Sequence, residues 1–235
     1  MGQLKSIILK LSGEILSSEK NVFDEAGFSL VYNELKSVIS SYAGLQIGIV
    51  IGGGNIYRGR TKIFSRVSGD TMGMLATVIN SIALKDYLTA HGLRSKVFTP
   101  FLMTKIGEVF TSDTALASLS SGNINIYAGG TGNPFFSTDS LAVLRGLETG
   151  TEMVLKATKV DGVFDSDPVS NPKAKKFDRI THLDVVQQKL NVMDFPAITL
   201  AMENNLEIFV FNFFNPGNLQ RVISGDLSQG TLVKS

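Results

Sequence analysis

Short, almost unbroken apolar runs alternate with stretches of helical periodicity, and this alternation constrains the fold more than any other feature of the chain. Ser6 to Leu11, Ile47 to Ile51, Ser95 to Thr99, Asn123 to Ala128, Glu152 to Thr158, Leu206 to Phe211 and Thr231 to Val233 read as strands. Runs that are continuous rather than alternating belong to strands buried on both faces, which is the signature of a parallel sheet. Glu25 to Tyr42 places Phe28, Val31, Leu35, Val38, Ile39 and Tyr42 at helical spacing. A second long helix carries Met74, Leu75, Val78, Ile79, Ile82 and Leu88, with Asp70 before Thr71 as its cheapest N-cap. Shorter helices are predicted over Thr111–Leu119, Ser140–Leu147, Leu183–Leu190, Asp194–Asn204 and Asn218–Ser224, with Pro196 confined to a first turn. Strand and helix in strict succession mean an α/β chain: a mostly parallel sheet covered by helices on both faces. With no internal repeat, low-complexity tract or linker, residues 1–235 are expected to form a single domain.

The balance of residues excludes several classes. A net charge of +1 argues against a nucleic-acid binder held by a basic surface, though it permits one local cationic pocket. The absence of cysteine removes disulfides, thiolate metal sites and a cysteine nucleophile, and permits a cytoplasmic location. No apolar run is expected to reach the roughly 20 residues of a membrane helix, and the first residues lead into a strand without a signal-peptide layout.

The chemistry sits at strand ends. Ile47-Gly-Ile-Val-Ile-Gly52-Gly53-Gly54-Asn55-Ile-Tyr-Arg58 stops an apolar run on three glycines and resumes with an amide and a guanidinium. Glycines there supply backbone able to take positive φ and approach a ligand closely, and an arginine is a fork donor for phosphate oxygens; the bland alternative is a tight turn without a ligand. Lys10, inside an otherwise apolar strand next to Ser12-Gly13, is expensive to bury unless it meets an anion. It could instead point outward from an edge strand. A second glycine-rich strand end, Gly129-Gly-Thr131-Gly132-Asn133-Pro134-Phe135-Phe136-Ser137-Thr138-Asp139, brings hydroxyls and amides to a helix start. Asp139 by default caps that helix. A further strand carries Lys156 and Thr158 towards its C-terminal end. In a parallel sheet these ends open onto one crevice. Arg58 and the two lysines then make three cations around a space suited to phosphates. Phosphoryl transfer needs mainly positioning and charge stabilisation, so Lys10 and Lys156 would act on the phosphoryl group in flight, with Asp139 orienting them or a magnesium ion.

Other chemistries fail on motif. The chain has neither G-x-x-x-x-G-K-[ST] nor a dinucleotide fingerprint after its first strand. The acidic loop Asp161 to Asp167 misses the EF-hand spacing. His91 and His182 are expected at the surface, outside catalysis and metal binding.

Together, Lys10-Leu-Ser-Gly13, Ile51-Gly-Gly-Gly-Asn55-Ile-Tyr-Arg58-Gly59, Gly69-Asp-Thr-Met-Gly-Met-Leu-Ala76, Gly132-Asn-Pro-Phe-Phe-Ser-Thr-Asp139 and Lys156-Ala-Thr-Lys-Val-Asp-Gly-Val-Phe164 resemble the bacterial uridylate kinases of the amino-acid-kinase superfamily. The resemblance runs in register from Lys5 to Leu232. It implies a three-layer αβα sandwich, transfer of the ATP γ-phosphate to UMP with Mg2+, and a homohexamer without nucleic-acid or membrane partners. It further implies an N-terminal half mainly binding UMP and a C-terminal half mainly binding ATP. Carried over by motif, the ATP side comprises Lys10, Leu11, Ser12, Gly13, Gly54, Arg58, Thr158, Phe164 and Asp167. The UMP side comprises Gly53, Asp70 and the run Thr131, Gly132, Asn133, Pro134, Phe135, Phe136, Ser137 and Thr138. Asp194 matches a family position near the phosphates. The resemblance makes Asp70 a substrate ligand, which is compatible with its helix only if another residue caps it. The triple glycine then divides, Gly53 under the UMP phosphate and Gly54 towards ATP. Two alternatives stay open: an enzyme of the same fold acting on a carboxylate or carbamate, and a non-catalytic nucleotide- or oxyanion-binding protein, against which the presence of Lys10, Lys156 and Asp139 argues.

Overall fold

A computed structural model describes residues 2–58 and 63–235; Gly59 of the glycine motif lies outside them. Among the described residues nine strands form a single sheet, β1 (Ser6–Leu11), β2 (Gln46–Ile51), β3 (Ser95–Thr99), β4 (Glu108–Val109), β5 (Ile124–Tyr127), β6 (Met153–Thr158), β7 (Arg179–Thr181), β8 (Glu207–Asn212) and β9 (Gly230–Lys234). Their order is β4-β3-β5-β2-β1-β6-β8-β9-β7. Every pairing is parallel except that of β8 with β9. The continuous apolar runs are buried on both faces, as their composition requires.

The helices are α1 (Glu25–Ser41), α2 (Arg66–Ala90), α3 (Ser112–Ser120), α4 (Thr138–Glu148), α5 (His182–Gln187), α6 (Phe195–Glu203) and α7 (Asn218–Ile223). Side chains alternate between sheet faces, so Leu9, Ile49 and Leu155 join one core with Leu35 and Val38 of α1, Leu84 of α2 and Leu219 of α7. Ile8, Val50 and Val154 join the opposite core with Ala115 of α3, Leu141 of α4, Val185 of α5 and Ile198 of α6. These two helical layers around the sheet are the αβα sandwich.

β1 is the switch point. Strands β2 to β5 lie on one side of it and β6 to β9 on the other, and the crevice outside the carboxyl ends of such strands is where open α/β sheets bind ligands. Within β1 and β6, Lys10 is the direct cross-strand partner of Lys156. Both have the parity of Ile8 and Val154, so both project towards the layer that holds α4. This removes the edge-strand alternative for Lys10, whose strand lies in the middle of the sheet.

Two helix starts differ from expectation. α2 begins at Arg66, capped by the Ser65 hydroxyl on the Ser68 N–H, which leaves Asp70 inside the helix and free of capping. α4 begins at Thr138, capped by the Ser137 hydroxyl on the Asp139 N–H at 3.0 Å. α2 also proves, by length and composition, apolar enough to cross a membrane, the one such helix among the described residues. It packs one face on the sheet and exposes Leu75, Ile79 and Ile82 on the other. His182 is fully buried, contrary to its expected surface position; His91 is exposed and stacks on Tyr87 at 4.2 Å. In His182, burial pushes the imidazole below its ordinary value, with the Leu206 backbone opposing.

Candidate functional site

The centre of the site is one carboxylate held between two ammonium groups. Asp139 places Oδ1 2.8 Å from Lys10 Nζ and Oδ2 2.9 Å from Lys156 Nζ, and the three side chains are only 13–16% exposed. Lys156 also donates to the Val192 carbonyl. Burial alone would push the Asp139 carboxyl up, but Lys10 and Lys156 outweigh it and hold the group below the ordinary carboxylate value. For Lys156, burial pushes the ammonium down, with Asp139 opposing and Lys10 adding to the depression. The three side chains carry one positive charge in excess, with the Asp194 carboxylate the next to act on Lys156, in a place water scarcely reaches. Such a centre is prepared for an anion.

Asp139 can take this part because it is released from helix capping by Ser137. The start of α4 is tethered from a third direction by Asp194, which accepts from the Ser140 hydroxyl at 2.8 and 3.0 Å and from the Ser137 N–H at 3.4 Å. Asp194 sits at the N-cap position of α6 yet makes no cap bond there. Its carboxylate is committed to α4.

Two clefts adjoin this cluster, one through Lys156 and one through Ser137 and Thr138 before Asp139. The larger, of about 440 Å³, is lined by Lys156, Thr158, Val160, the loop Gly162 to Pro168, and the segment Gln188 to Val192. Phe164 and Asp167 lie on its walls. The Thr158 hydroxyl is engaged with the backbone, donating to Val160 O at 2.6 Å with Phe211 O also in reach at 3.1 Å, and Asp167 accepts from the Val169 N–H, so both shape the loop. The smaller cleft, of about 260 Å³, is lined by Gly53, Gly54, Tyr57, Gly69, Asp70, Gly73, Met74, Thr77, Gly130, Ser137 and Thr138. Thr138 of this cleft is the sequence neighbour of Asp139, which grips Lys156 of the other. The cluster thus lines the larger cleft through Lys156 and adjoins the smaller one through Thr138.

The glycine turns differ in what they require. Gly52, Gly53 and Gly54 do not take positive φ. What excludes a side chain at Gly53 is packing, since a Cβ would come within 2.8 Å of Ala76 Cβ and 2.9 Å of Gly73 O. A Cβ on Gly13 would approach Gly52 O to 2.4 Å, so the ends of β1 and β2 are pressed together. Asn80, buried on α2, locks this region: it donates to Gly52 O at 2.6 Å and to Asn55 Oδ1 at 2.8 Å, while Asn55 donates back at 3.1 Å. At the second turn the conformational reason does hold, with Gly129, Gly130 and Gly132 at φ of 76°, 60° and 82°.

Other expected site residues are spread around the rim. Ser12 caps a 3-10 turn, Gly13–Leu16, while the Leu11 side chain is wholly in the core and can offer only backbone. Arg58 is 71% exposed and paired with Glu14, so the third cation stands at the mouth rather than in the crevice. Gly53 and Gly54 line the same cleft, so the expected division between them is not drawn in the free protein. Asp70 accepts from the Phe135 N–H at 2.8 Å and pairs with Arg66 at 3.4 Å. Phe135 is a non-glycine residue at φ 73°, 59% exposed, with the Arg66 guanidinium 5.1 Å from its ring centroid. Thr131 and Asn133 are bonded to each other within the turn, Pro134 is half-buried, and Phe136 is exposed. Sequence reasoning missed Gln188 to Val192, Gly73, Met74 and Thr77 as cleft walls. Gln188 to Leu190 read as the end of a helix and Asn191-Val192 carry no motif, while Gly73 and Met74 stand in the Gly69 to Ala76 motif, of which only Asp70 is assigned a ligand, and Thr77 carries no signal.

Among the described residues, no group of three His, Asp or Glu side chains could hold a metal ion. The donor chemistry fits an ion brought in by phosphates, because the central carboxylate already serves two ammoniums and magnesium commonly takes most of its ligands from phosphate and water.

Comparison with known proteins gives the family. Residues 5–212 match the model of the amino acid kinase family. The chain is 48% identical to the uridylate kinase of Parabacteroides distasonis, with 99% of each sequence covered. It is 44% identical to that of Aliivibrio fischeri over 97% of this chain and 95% of the relative. Among solved structures it superposes on the UMP kinase of Bacillus anthracis with a TM-score of 0.94 at 37% identity, covering 99% of this chain and 96% of that one. The UMP kinase of Ureaplasma parvum gives a TM-score of 0.90 at 31% identity, with 99% and 100% covered.

Proposed function

The chain belongs to the amino acid kinase family, and from that membership we propose that it transfers the γ-phosphoryl group of ATP to the phosphate of UMP, giving ADP and UDP. The observation that carries the proposal is the Lys10–Asp139–Lys156 cluster, which lines the larger cleft through Lys156 and adjoins the smaller one through Thr138. ATP occupies the larger cleft, its base against Phe164 and the Gln188 to Val192 segment. UMP occupies the smaller one, its phosphate near Gly53 and its nucleoside towards Asp70. The single domain is then divided by function, the N-terminal half with the Thr131 to Thr138 turn serving mainly UMP and the C-terminal half mainly ATP.

The chemistry follows from charge and position. A phosphoryl group passing between two phosphate oxygens spreads negative charge over its equatorial oxygens. Lys10 and Lys156, fixed by Asp139 on neighbouring strands, present their ammoniums where that charge grows. Their desolvation makes each contact stronger than it would be in water. Asp139 orients both lysines, one oxygen to each. Mg2+, held by the nucleotide phosphates, would neutralise part of their charge. Backbone N–H groups of the strand-end turns and Arg58 at the mouth complete the anion-binding surface. The exposed apolar stripe Leu75, Ile79 and Ile82 on α2 supports assembly into the homohexamer. The cytoplasm is the location this reading implies, both substrates being intracellular nucleotides.

The test is an acceptor panel. Purified protein with Mg2+ and ATP is assayed for ADP release against UMP, CMP, dTMP, glutamate and carbamate. Turnover selective for UMP is expected; turnover with glutamate or carbamate and none with UMP would overturn the proposal.

A further inference from the structure

Gly73 lies in the interior of α2, where glycine is among the poorest helix formers, and nothing in the protein's own packing calls for it there. Its φ is outside the left-handed region, and a Cβ built on it would meet no atom within 4 Å. Gly53 provides the contrast. Its side chain is forbidden by Ala76 and by the Gly73 carbonyl, so the close approach of β2's turn to α2 uses the Gly73 oxygen, not the missing side chain. Gly73 faces the smaller cleft together with Asp70 one turn earlier and Thr77 one turn later. The exposed apolar stripe of α2, with Val67, Leu75, Ile79 and Ile82, runs along a different face. The empty volume therefore belongs to the cleft rather than to a contact between helices.

We propose that Gly73 is a specificity-determining residue: its absent side chain reserves the space in which the sugar and phosphate of the acceptor nucleotide lie between Asp70 and Gly53. The inference rests on the reading of this cleft as the UMP site. A methyl group at Gly73 would fit the free protein and collide with the bound acceptor. Overpacking of that kind weakens binding by about ten- to a hundredfold.

The experiment compares wild type, Gly73→Ala and Thr71→Ala, the last a change on the exposed side of the same helix. Expected for Gly73→Ala are a KM for UMP raised about ten- to a hundredfold, an unchanged KM for ATP, and a Tm equal to or above that of wild type. Calorimetric titration of UMP should show the same loss without turnover, and Thr71→Ala should match wild type throughout. An unchanged KM for UMP in a folded Gly73→Ala protein would overturn the inference. So would a Tm several degrees lower, which would show that Gly73 serves packing. Wild-type protein that ignores UMP altogether, in titration as in turnover, would overturn the assignment of the acceptor and this inference with it.

Discussion

Replacing Asp139 by Asn removes the one carboxylate that holds Lys10 and Lys156, and the consequences can be worked from the geometry. At 2.8 and 2.9 Å, each contact is a gross attraction of about 6 kcal/mol for an effective dielectric constant near 20. Desolvation offsets most of this, and deleting one partner of a buried pair costs about 3–5 kcal/mol net. Because the groups keep 13–16% of their surface exposed, the lower end applies. A loss of about 3 kcal/mol in a chain of this size lowers Tm by about 6–12 °C. Two ammoniums facing each other without a counter-charge also disfavour their protonated forms, and Lys156 is already held low by burial. The variant should therefore lose about 10²–10³ in kcat at pH 8 and recover part of it as pH is lowered and the lysine recharges. Saturating ATP brings phosphate charge into the same space, so it should raise the Tm of Asp139→Asn more than that of wild type. Scanning calorimetry with and without ATP, together with a pH–rate profile, measures all three effects. A variant whose Tm lies within a degree or two of wild type and whose kcat is intact would refute the reasoning.

Lys10→Ala should lower kcat far more than it weakens UMP binding, which steady-state kinetics beside calorimetric titration of UMP will separate; an unchanged kcat removes that lysine from the transition state. Asn80→Ala should destabilise by about 1–3 kcal/mol, because Gly52 O and Asn55 lose buried partners, and urea unfolding reads this directly. For His182 the folded imidazole is pushed below its ordinary 6.5 by burial. The unfolded chain then takes up its proton first, so stability is complete above that value and declines as pH falls below it, at no more than about 1.4 kcal/mol per pH unit; a His182→Gln variant should lose that slope.

The buried strands were legible because a parallel sheet demands apolar residues on both faces, and that demand is written as continuous runs. β4 and β7 were not. They have two and three residues and sit at the sheet's edges, largely exposed, so burial leaves no pattern in them. Lys10 could be singled out because an ammonium inside an apolar run conflicts with its surroundings, and such conflicts gather at functional sites. In the sequence Asp70 and Asp139 have the look of helix caps, because cap chemistry is local and both stand before apolar-periodic residues. The structure gives those tasks to Ser65 and Ser137, a competition between neighbouring polar residues that sequence spacing does not decide. The triple glycine was legible as a close approach, but its cause lay elsewhere: at Gly53 it is α2, over twenty residues later, that excludes a side chain. The burial of His182 likewise depends on contacts assembled only in the fold.

The central claim is that two clefts, one for each nucleotide, adjoin the Lys10–Asp139–Lys156 cluster and pass a phosphoryl group across it. It is tested most directly with a bisubstrate ligand in which adenosine and uridine are joined through their 5′ oxygens by a polyphosphate. Calorimetry should show one molecule bound per chain, much tighter than ATP or UMP alone, and kinetics should show competition against both substrates. Competition against only one substrate, or an affinity no better than that of ATP, would contradict the claim.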